Sequence, residues 1–287
     1  MAKKIILGTA QFGLSYGINN KTGKPDLTTT HEILDFAYRN GVYNLDTAEG
    51  YGNAENIIGS YCKNYGREFA INTKFKKVTK GNLRTECLNS LQRLSVKQIR
   101  TYFFHRFDDF IECPELILEL IQLKREKLIG MIGVSVYTNT ELETVIKHPN
   151  IDVVQIPFNL LDNHSQRGNL LKMAKEYNKI VQVRSVFLQG LFFKNLEQIP
   201  FVLLPLKPHL EKIHTIAREM NQTMESLCLK YVFAQPDIDE IIIGVDNKEQ
   251  FANNLTWINS EIDPDLIQTL DSINVKEQEL LYPYNWK

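Results

Sequence analysis

Asp46, Tyr51, Lys74 and His105 each fall at or just past the end of a short apolar run. The runs end in Asn44-Leu45-Asp46-Thr47-Ala48-Glu49-Gly50-Tyr51-Gly52, in Ile71-Asn72-Thr73-Lys74 and in Tyr102-Phe103-Phe104-His105-Arg106. A phenol with a pKa of about 10 is a poor acid at neutrality unless a nearby cation favours the phenolate. Lys74 is such a cation, Asp46 can hold it in an ion pair, and His105 can orient a substrate oxygen. Tyr51 would then protonate the alkoxide that develops as a carbonyl is reduced, or take the proton back in oxidation. Each residue also has a plainer role: a helix cap for the aspartate, packing for the tyrosine, solvation for the lysine, a satisfied core position for the histidine. Their joint placement at three consecutive strand ends favours the chemical reading.

The elements that must position these groups form a regular alternation. Eight short runs rich in Ile, Val and Phe read as strands buried on both faces: Ile5–Ala10, Val42–Thr47, Phe69–Lys74, Ile99–His105, Ile129–Val136, Val153–Phe158, Ile180–Ser185 and Glu240–Val245. Amphipathic helical stretches separate them. Thr29 with Glu32 spells a capping box closed by Gly41, and Thr138 with Glu141 spells another. Leu83, Cys87, Leu91 and Leu94 recur at helical spacing, as do Leu116, Leu120 and Leu123. Such alternation requires parallel strands. Eight units predict a closed α/β barrel, the (β/α)8 TIM barrel. An open doubly wound sheet is the competing arrangement, and it would usually carry GxGxxG after the first strand, where this chain has Gly8-Thr9-Ala10-Gln11-Phe12-Gly13. No linker divides the chain, so residues 1–287 are expected to form one domain. The segment Lys194–Pro208 reads as an extended loop. A tail begins at Asp263, an N-cap followed by Pro264, and ends in the aromatic cluster Tyr282-Pro283-Tyr284-Asn285-Trp286, which should cover something.

Composition narrows the function classes. The 287 residues are 43% hydrophobic and 23% charged, with a net charge of −1 and no basic block, so nothing points to nucleic acid or an acidic membrane surface. No apolar run approaches the roughly 20 residues that span a bilayer. The basic start Met1-Ala2-Lys3-Lys4 precedes an apolar run too short for a signal-peptide core. Cys62, Cys87, Cys113 and Cys228 form no CxxC, which fits reduced thiols in a cytoplasm. The histidines at 31, 105, 148, 164, 209 and 214 form no HxH or HExxH, so no metal site is expected.

The stretch Asn44-Leu45-Asp46-Thr47-Ala48-Glu49-Gly50-Tyr51-Gly52-Asn53-Ala54-Glu55, followed by Ile58-Gly59, resembles the signature of the aldo/keto reductases. Leu7-Gly8-Thr9 is similar to that family's first strand, Ile129-Gly130-Met131-Ile132-Gly133-Val134-Ser135 to its fifth and Val154-Gln155-Ile156-Pro157-Phe158-Asn159 to its sixth. Ile243-Gly244-Val245-Asp246 with Gln250 and Asn254 resembles the strand, loop and helix that receive adenosine. The resemblance implies an NAD(P)-dependent, metal-independent oxidoreductase that interconverts an aldehyde, ketone or sugar carbonyl and its alcohol. Tyr51 would be the acid/base, supported by Asp46, Lys74 and His105. Ser135 and Gln155 would hold the nicotinamide carboxamide. Thr9, Arg184, Ser185, Gly244, Asp246, Gln250 and Asn254 complete the implied cofactor-binding set. A small carbonyl or alcohol substrate is the implied partner. A cofactor-binding, redox-sensing barrel with little turnover is the alternative in another class.

Three departures from the pattern stand out. Val136 follows Ser135 where the family often has asparagine. Arg184 stands where an aromatic often stacks on the nicotinamide, and is expected either to pack on that ring or to meet an anionic substrate group. Around the eighth-strand loop Lys248 is the one nearby cation, and Asp246 would repel a 2′-phosphate. The local residues lean to NAD(H) and the family to NADP(H).

Overall fold

Short runs of β-branched and aromatic residues, apolar on both faces, pair in parallel only where helices cover one side and a packed interior fills the other. The computed structural model, which describes residues 4–20, 23–77, 81–258 and 260–286, shows that arrangement. The strands are β1 (Ile5–Gly8), β2 (Asn44–Asp46), β3 (Ala70–Phe75), β4 (Ile99–Phe104), β5 (Ile129–Ser135), β6 (Val153–Pro157), β7 (Ile180–Arg184) and β8 (Glu240–Gly244). They close in sequence order, every pair is parallel, and β1 completes the ring by pairing Ile5 through Gly8 with Ile241 through Gly244 of β8. The fold is a (β/α)8 barrel. Each expected strand is present; β3 is shifted by one residue, to Ala70–Phe75, and the others are trimmed by one or two residues at one or both ends. Met1 to Lys3 of the basic start lie outside the described residues.

The helices bury one stripe each. The helix Leu83–Leu94 buries Leu83, Cys87, Leu91 and Leu94, and Leu116–Arg125 buries Leu116, Leu120 and Leu123. The capping box at Thr138 and Glu141 is complete. The one at Thr29 and Glu32 is not: the helix Leu27–Arg39 starts earlier, with Asp26 as N-cap accepting from the Thr29 N–H at 2.7 Å. Thr29 is therefore the third helical residue, and its own amide is one of those that need a cap. Gly41 does follow the helix with a left-handed φ of 76°. The expected Lys194–Pro208 loop is also shorter than the sequence suggests. It consists of the tight turns Leu196–Gln198 and Phe201–Leu206, and Lys207 and Pro208 already belong to the helix Lys207–Glu219, since proline is tolerated in a first turn.

The tail packs onto the barrel. Asp263 caps the helix Pro264–Asp271 as expected. The buried Asn163 amide donates to the carbonyls of Leu270 and Ile273, at 3.1 and 2.7 Å. The aromatic cluster closes on Tyr137 beyond β5: the Tyr282 and Tyr284 rings meet it edge-on at 5.6 and 4.8 Å. Because all strands run the same way, Asp46, Lys74, Ser135, Arg184 and Gly244 emerge at one mouth, where such barrels carry their chemistry.

Candidate active site

Tyr51 is placed by a turn that admits almost no substitution. Its N–H donates to the Ala48 carbonyl at 2.9 Å, and its carbonyl accepts from Ala54 N–H at 3.1 Å. Gly52 holds a left-handed φ of 57°, and Gly13 lies so close that a Cβ there would stand 1.6 Å from the Tyr51 carbonyl oxygen. Two glycines from separate loops thus lock the phenol's backbone over the mouth.

Around it the other three sequence candidates converge from β2, β3 and the end of β4. The Lys74 ammonium donates to Asp46 Oδ1 at 2.5 Å and to the Thr47 carbonyl at 3.0 Å. It also lies 5.3 Å from the centre of the Tyr51 ring, within range of a cation–π attraction. The His105 ring meets the Tyr51 ring edge-on at 5.8 Å. No hydrogen bond engages the Tyr51 hydroxyl among the described residues, and Tyr51 lines the mouth cavity.

The electrostatics correct one expectation. With Lys74 close by, the phenol is still not drawn towards phenolate. Burial raises the Tyr51 pKa, the Asp46 carboxylate raises it further, and Arg184 opposes them only in part. Burial likewise lowers the Lys74 pKa, against the attraction of Asp46. His105 is pushed down to about 3, by burial first and then by the positive charges of Lys74 and Arg184. At neutral pH the site therefore holds a protonated phenol and an uncharged imidazole.

Behind the mouth runs a polar ladder that sequence reading found only in part. Ser135, Gln155, Gln182 and Glu240 are successive register partners on β5, β6, β7 and β8. Gln155 donates its amide to Asp46 Oδ2 at 2.9 Å and to Gln182 Oε1 at 3.2 Å, and Gln182 donates to Glu240 Oε2 at 2.8 Å. Arg100 closes the ladder with a two-pronged contact to Glu240. Gln182 and Glu240 are polar residues inside Ile/Val-rich strands, and that anomaly was the available signal.

The cavity has a volume of about 380 Å³ and runs from Asp46 and Tyr51 past Arg184 and Ser185 to Gly244, Asp246, Gln250 and Asn254. Thr9 lines it too, although its hydroxyl is committed to the Asp46 carbonyl at 2.9 Å. Tyr16, Phe187, Phe193 and Glu225 also line it and were missed by sequence reading, because segments distant in sequence bring them there, Glu225 from the first turn of the helix Met224–Phe233. Ser135 and Gln155 are buried beside the tetrad rather than on the cavity wall.

The residues fit a dinucleotide at both ends. Gln155 Oε1 is buried with no partner, as an acceptor awaiting a carboxamide N–H would be. Asp246 Oδ1 is also buried and unpartnered beside the β8 end, where the Asp246 N–H is held by Gln250 Oε1 at 2.8 Å. Among the described residues no group of three or more His, Cys, Asp and Glu side chains could hold a metal ion, and no helix is long and apolar enough to cross a membrane.

An eight-stranded parallel barrel with a phenol, an ammonium, a carboxylate and an imidazole at its mouth defines a class of carbonyl-directed oxidoreductases. Residues 4–275 match the model of the aldo/keto reductase family, and the chain belongs to that family. It is 25% identical to the NADH-specific methylglyoxal reductase of Escherichia coli (strain K12), over 90% of this chain and 94% of that one. An uncharacterized oxidoreductase of Bacillus subtilis (strain 168) is also 25% identical, over 90% and 92% of the two chains. An aldo-keto reductase from Bacillus halodurans, solved in its holo form, shares the fold with a TM-score of 0.76 at 22% identity, covering 96% of this chain and 95% of that one. The chain is thus an oxidoreductase of a family that uses NAD(P)H on small carbonyl compounds.

Proposed function

We propose that this chain reduces a small aldehyde or ketone to its alcohol, and catalyses the reverse, with Tyr51 as the general acid/base and NADH as the preferred cofactor. The observation that carries the reading is the free Tyr51 hydroxyl facing the cavity beside the Lys74–Asp46 pair and His105. Burial keeps the phenol protonated until an alkoxide, a far stronger base than the phenolate, develops against it. Asp46 and the Thr47 carbonyl hold the Lys74 charge near the ring, where it stabilises the phenolate left after proton transfer. The neutral His105 donates a hydrogen bond to the carbonyl oxygen and so orients it towards Tyr51.

The cofactor, when bound, supplies the hydride. Gln155 Oε1 and Ser135 would hold its carboxamide. Gly244, Asp246, Gln250 and Asn254 would receive its adenosine half, with Thr9 and Ser185 along the path between and Arg184 at the reacting end. Preference for NADH rests on two carboxylates in that part of the cavity, Asp246 and Glu225. Both repel a 2′-phosphate, and Asp246 can accept from a ribose hydroxyl. The relative named an NADH-specific methylglyoxal reductase supports the same choice.

The test is NADH oxidation with methylglyoxal and a panel of aldehydes, ketones and sugars, beside fluorescence titration with NADH and NADPH. Turnover lost in Tyr51→Phe and tighter binding of NADH are the expected results. Binding without turnover of any carbonyl would move the chain to a regulatory, redox-sensing role.

A further inference from the structure

Three guanidinium groups lodged in this barrel are neutralised, whereas Arg67, stacked over Tyr38 away from the cavity, meets no carboxylate among the described residues. Arg93 meets Glu55, Arg100 meets Glu240 and Arg167 meets Asp162. Arg184, half-buried on the cavity wall at the end of β7, meets no carboxylate among the described residues. Its contacts are the Val136 carbonyl at 3.1 Å, a marginal one to Ser185 Oγ at 3.5 Å, and the Tyr137 ring, 4.1 Å from the guanidinium carbon. Most of its five N–H donors are left without an acceptor.

The group is nonetheless held in place. Tyr137 covers one face of it, and Tyr282 and Tyr284 of the tail brace Tyr137 from behind. The Tyr137 carbonyl is fixed in turn by Arg167 at 2.6 Å. The positive charge reaches Tyr16, Tyr51, Lys74 and His105, so it lies at the reacting end of the cavity. A half-buried cation in fixed geometry without a counter-ion is costly unless a ligand supplies one.

We infer that Arg184 is an anion anchor, and that the preferred substrate is an aldehyde or ketone carrying a carboxylate or phosphate a few bonds from its carbonyl. This rests on the proposed function and names the substrate class for the same site. The planar fork of N–H groups suits both anions. Tyr137 pre-orients the fork, so little freedom is lost on binding. The carbonyl would lie under Tyr51 and His105 while the charged end meets Arg184.

Matched substrate pairs test the anchor: 4-oxobutanoate against its methyl ester, and glyceraldehyde 3-phosphate against glyceraldehyde. The full-length enzyme is expected to favour the charged member of at least one pair by on the order of ten- to a hundredfold in kcat/KM. The pair that shows it tells carboxylate from phosphate. In Arg184→Met the ratio should collapse to within about threefold, and Arg184→Lys should retain part of it, since an ammonium keeps the charge without the fork. Reading a ratio cancels any general loss of activity in either variant. Equal use of both members by the unaltered enzyme overturns the anchor. So does an Arg184→Met variant that keeps the ratio while losing NADH affinity, because the guanidinium would then serve the cofactor's pyrophosphate. NADH titration separates the two possible failures. An enzyme that binds NADH and reduces both members alike overturns the anchor alone, and one that neither binds nor turns over overturns the proposed function and the anchor together.

Discussion

Arg184 lies over the Tyr137 ring and Arg167 holds the Tyr137 carbonyl, yet the two belong to regions built on opposite principles. Arg167 lies in the girdle beneath the C-terminal tail. It is buried, grips both Asp162 oxygens at 2.6 and 2.8 Å, and donates further to Asn139 Oδ1 and the Tyr137 carbonyl. Nearby, the Tyr231 hydroxyl bonds Asp271 and accepts from the His164 N–H. In that girdle Arg167 and Asp162 neutralise each other, and the Asp271 carboxylate accepts from a tyrosine hydroxyl. The mouth is different. The Tyr51 hydroxyl, Gln155 Oε1, Asp246 Oδ1 and the Arg184 guanidinium each lack a partner or a counter-ion. Unsatisfied groups cost stability; others lie elsewhere, as at Asn72 and Tyr102, but Tyr51, Arg184 and Asp246 line the cavity, where a ligand can satisfy them. The girdle holds the barrel together, whereas the mouth is incomplete without its ligands.

The sharpest way to break this contrast is to exchange its consequences. Tyr51→Phe should lower kcat by about 10²- to 10⁴-fold, the usual contribution of a positioned acid/base, while urea unfolding changes little because no hydrogen bond is lost. A variant that unfolds as readily as it loses turnover would place Tyr51 with the girdle. Arg167→Met should do the reverse. Stripping one partner from a buried pair leaves Asp162 uncompensated and costs about 3–5 kcal/mol. Chemical denaturation measures that loss, and a variant of unchanged stability would show that the pair is not structural.

How much of this was legible beforehand depends on whether the signal was local. The eight strands were, because strands buried on both faces spell themselves as Ile/Val/Phe runs. Asp46, Tyr51, Lys74 and His105 were, because polar residues at consecutive strand ends must share a rim once the strands are parallel neighbours. The helix start at Asp26 was misread because Asp26, Thr28 and Thr29 are all competent caps within four residues, and only the backbone chooses among them. What the sequence hid were pairings between separate elements. Gln182 with Glu240 depends on strand register, and Tyr137 over Arg184 joins the loop after β5 to the end of β7, 47 positions on. The sign of the Tyr51 shift was hidden for the same reason, since the depth of burial that outweighs Arg184 is a property of the assembled mouth.

Gln155 tests the contrast on a smaller scale, because it belongs to both regions. Its amide N–H groups are satisfied by Asp46 and Gln182, as in the girdle, and its Oε1 is left open, as at the mouth. Gln155→Leu should weaken NADH binding about tenfold, or about 1.4 kcal/mol, through loss of the open acceptor. The comparison is fluorescence titration of both proteins. Unchanged affinity would mean that Oε1 is simply an unsatisfied atom of the ladder.

The pH response of His105 is the effect whose sign is most constrained. His105 has its pKa lowered to about 3 in the folded protein, by burial and by the charges of Lys74, Arg184, Arg106 and Lys76, against 6.5 for the free side chain. Above pH 6.5 neither the folded nor the unfolded chain protonates it, and it adds no pH dependence. Between 6.5 and about 3 the unfolded chain binds a proton that the folded chain refuses, so stability falls as the pH falls through that window. The slope from this one group is at most about 1.4 kcal/mol per pH unit. His105→Gln removes the proton site, so its stability should decline less steeply on acidification than that of the unaltered protein. Urea unfolding at pH 7.5, 6 and 5 measures the difference. Parallel declines would mean that the imidazole titrates normally in the folded state, and the mouth would then carry a cation at mildly acidic pH where the present geometry keeps a neutral hydrogen-bond donor.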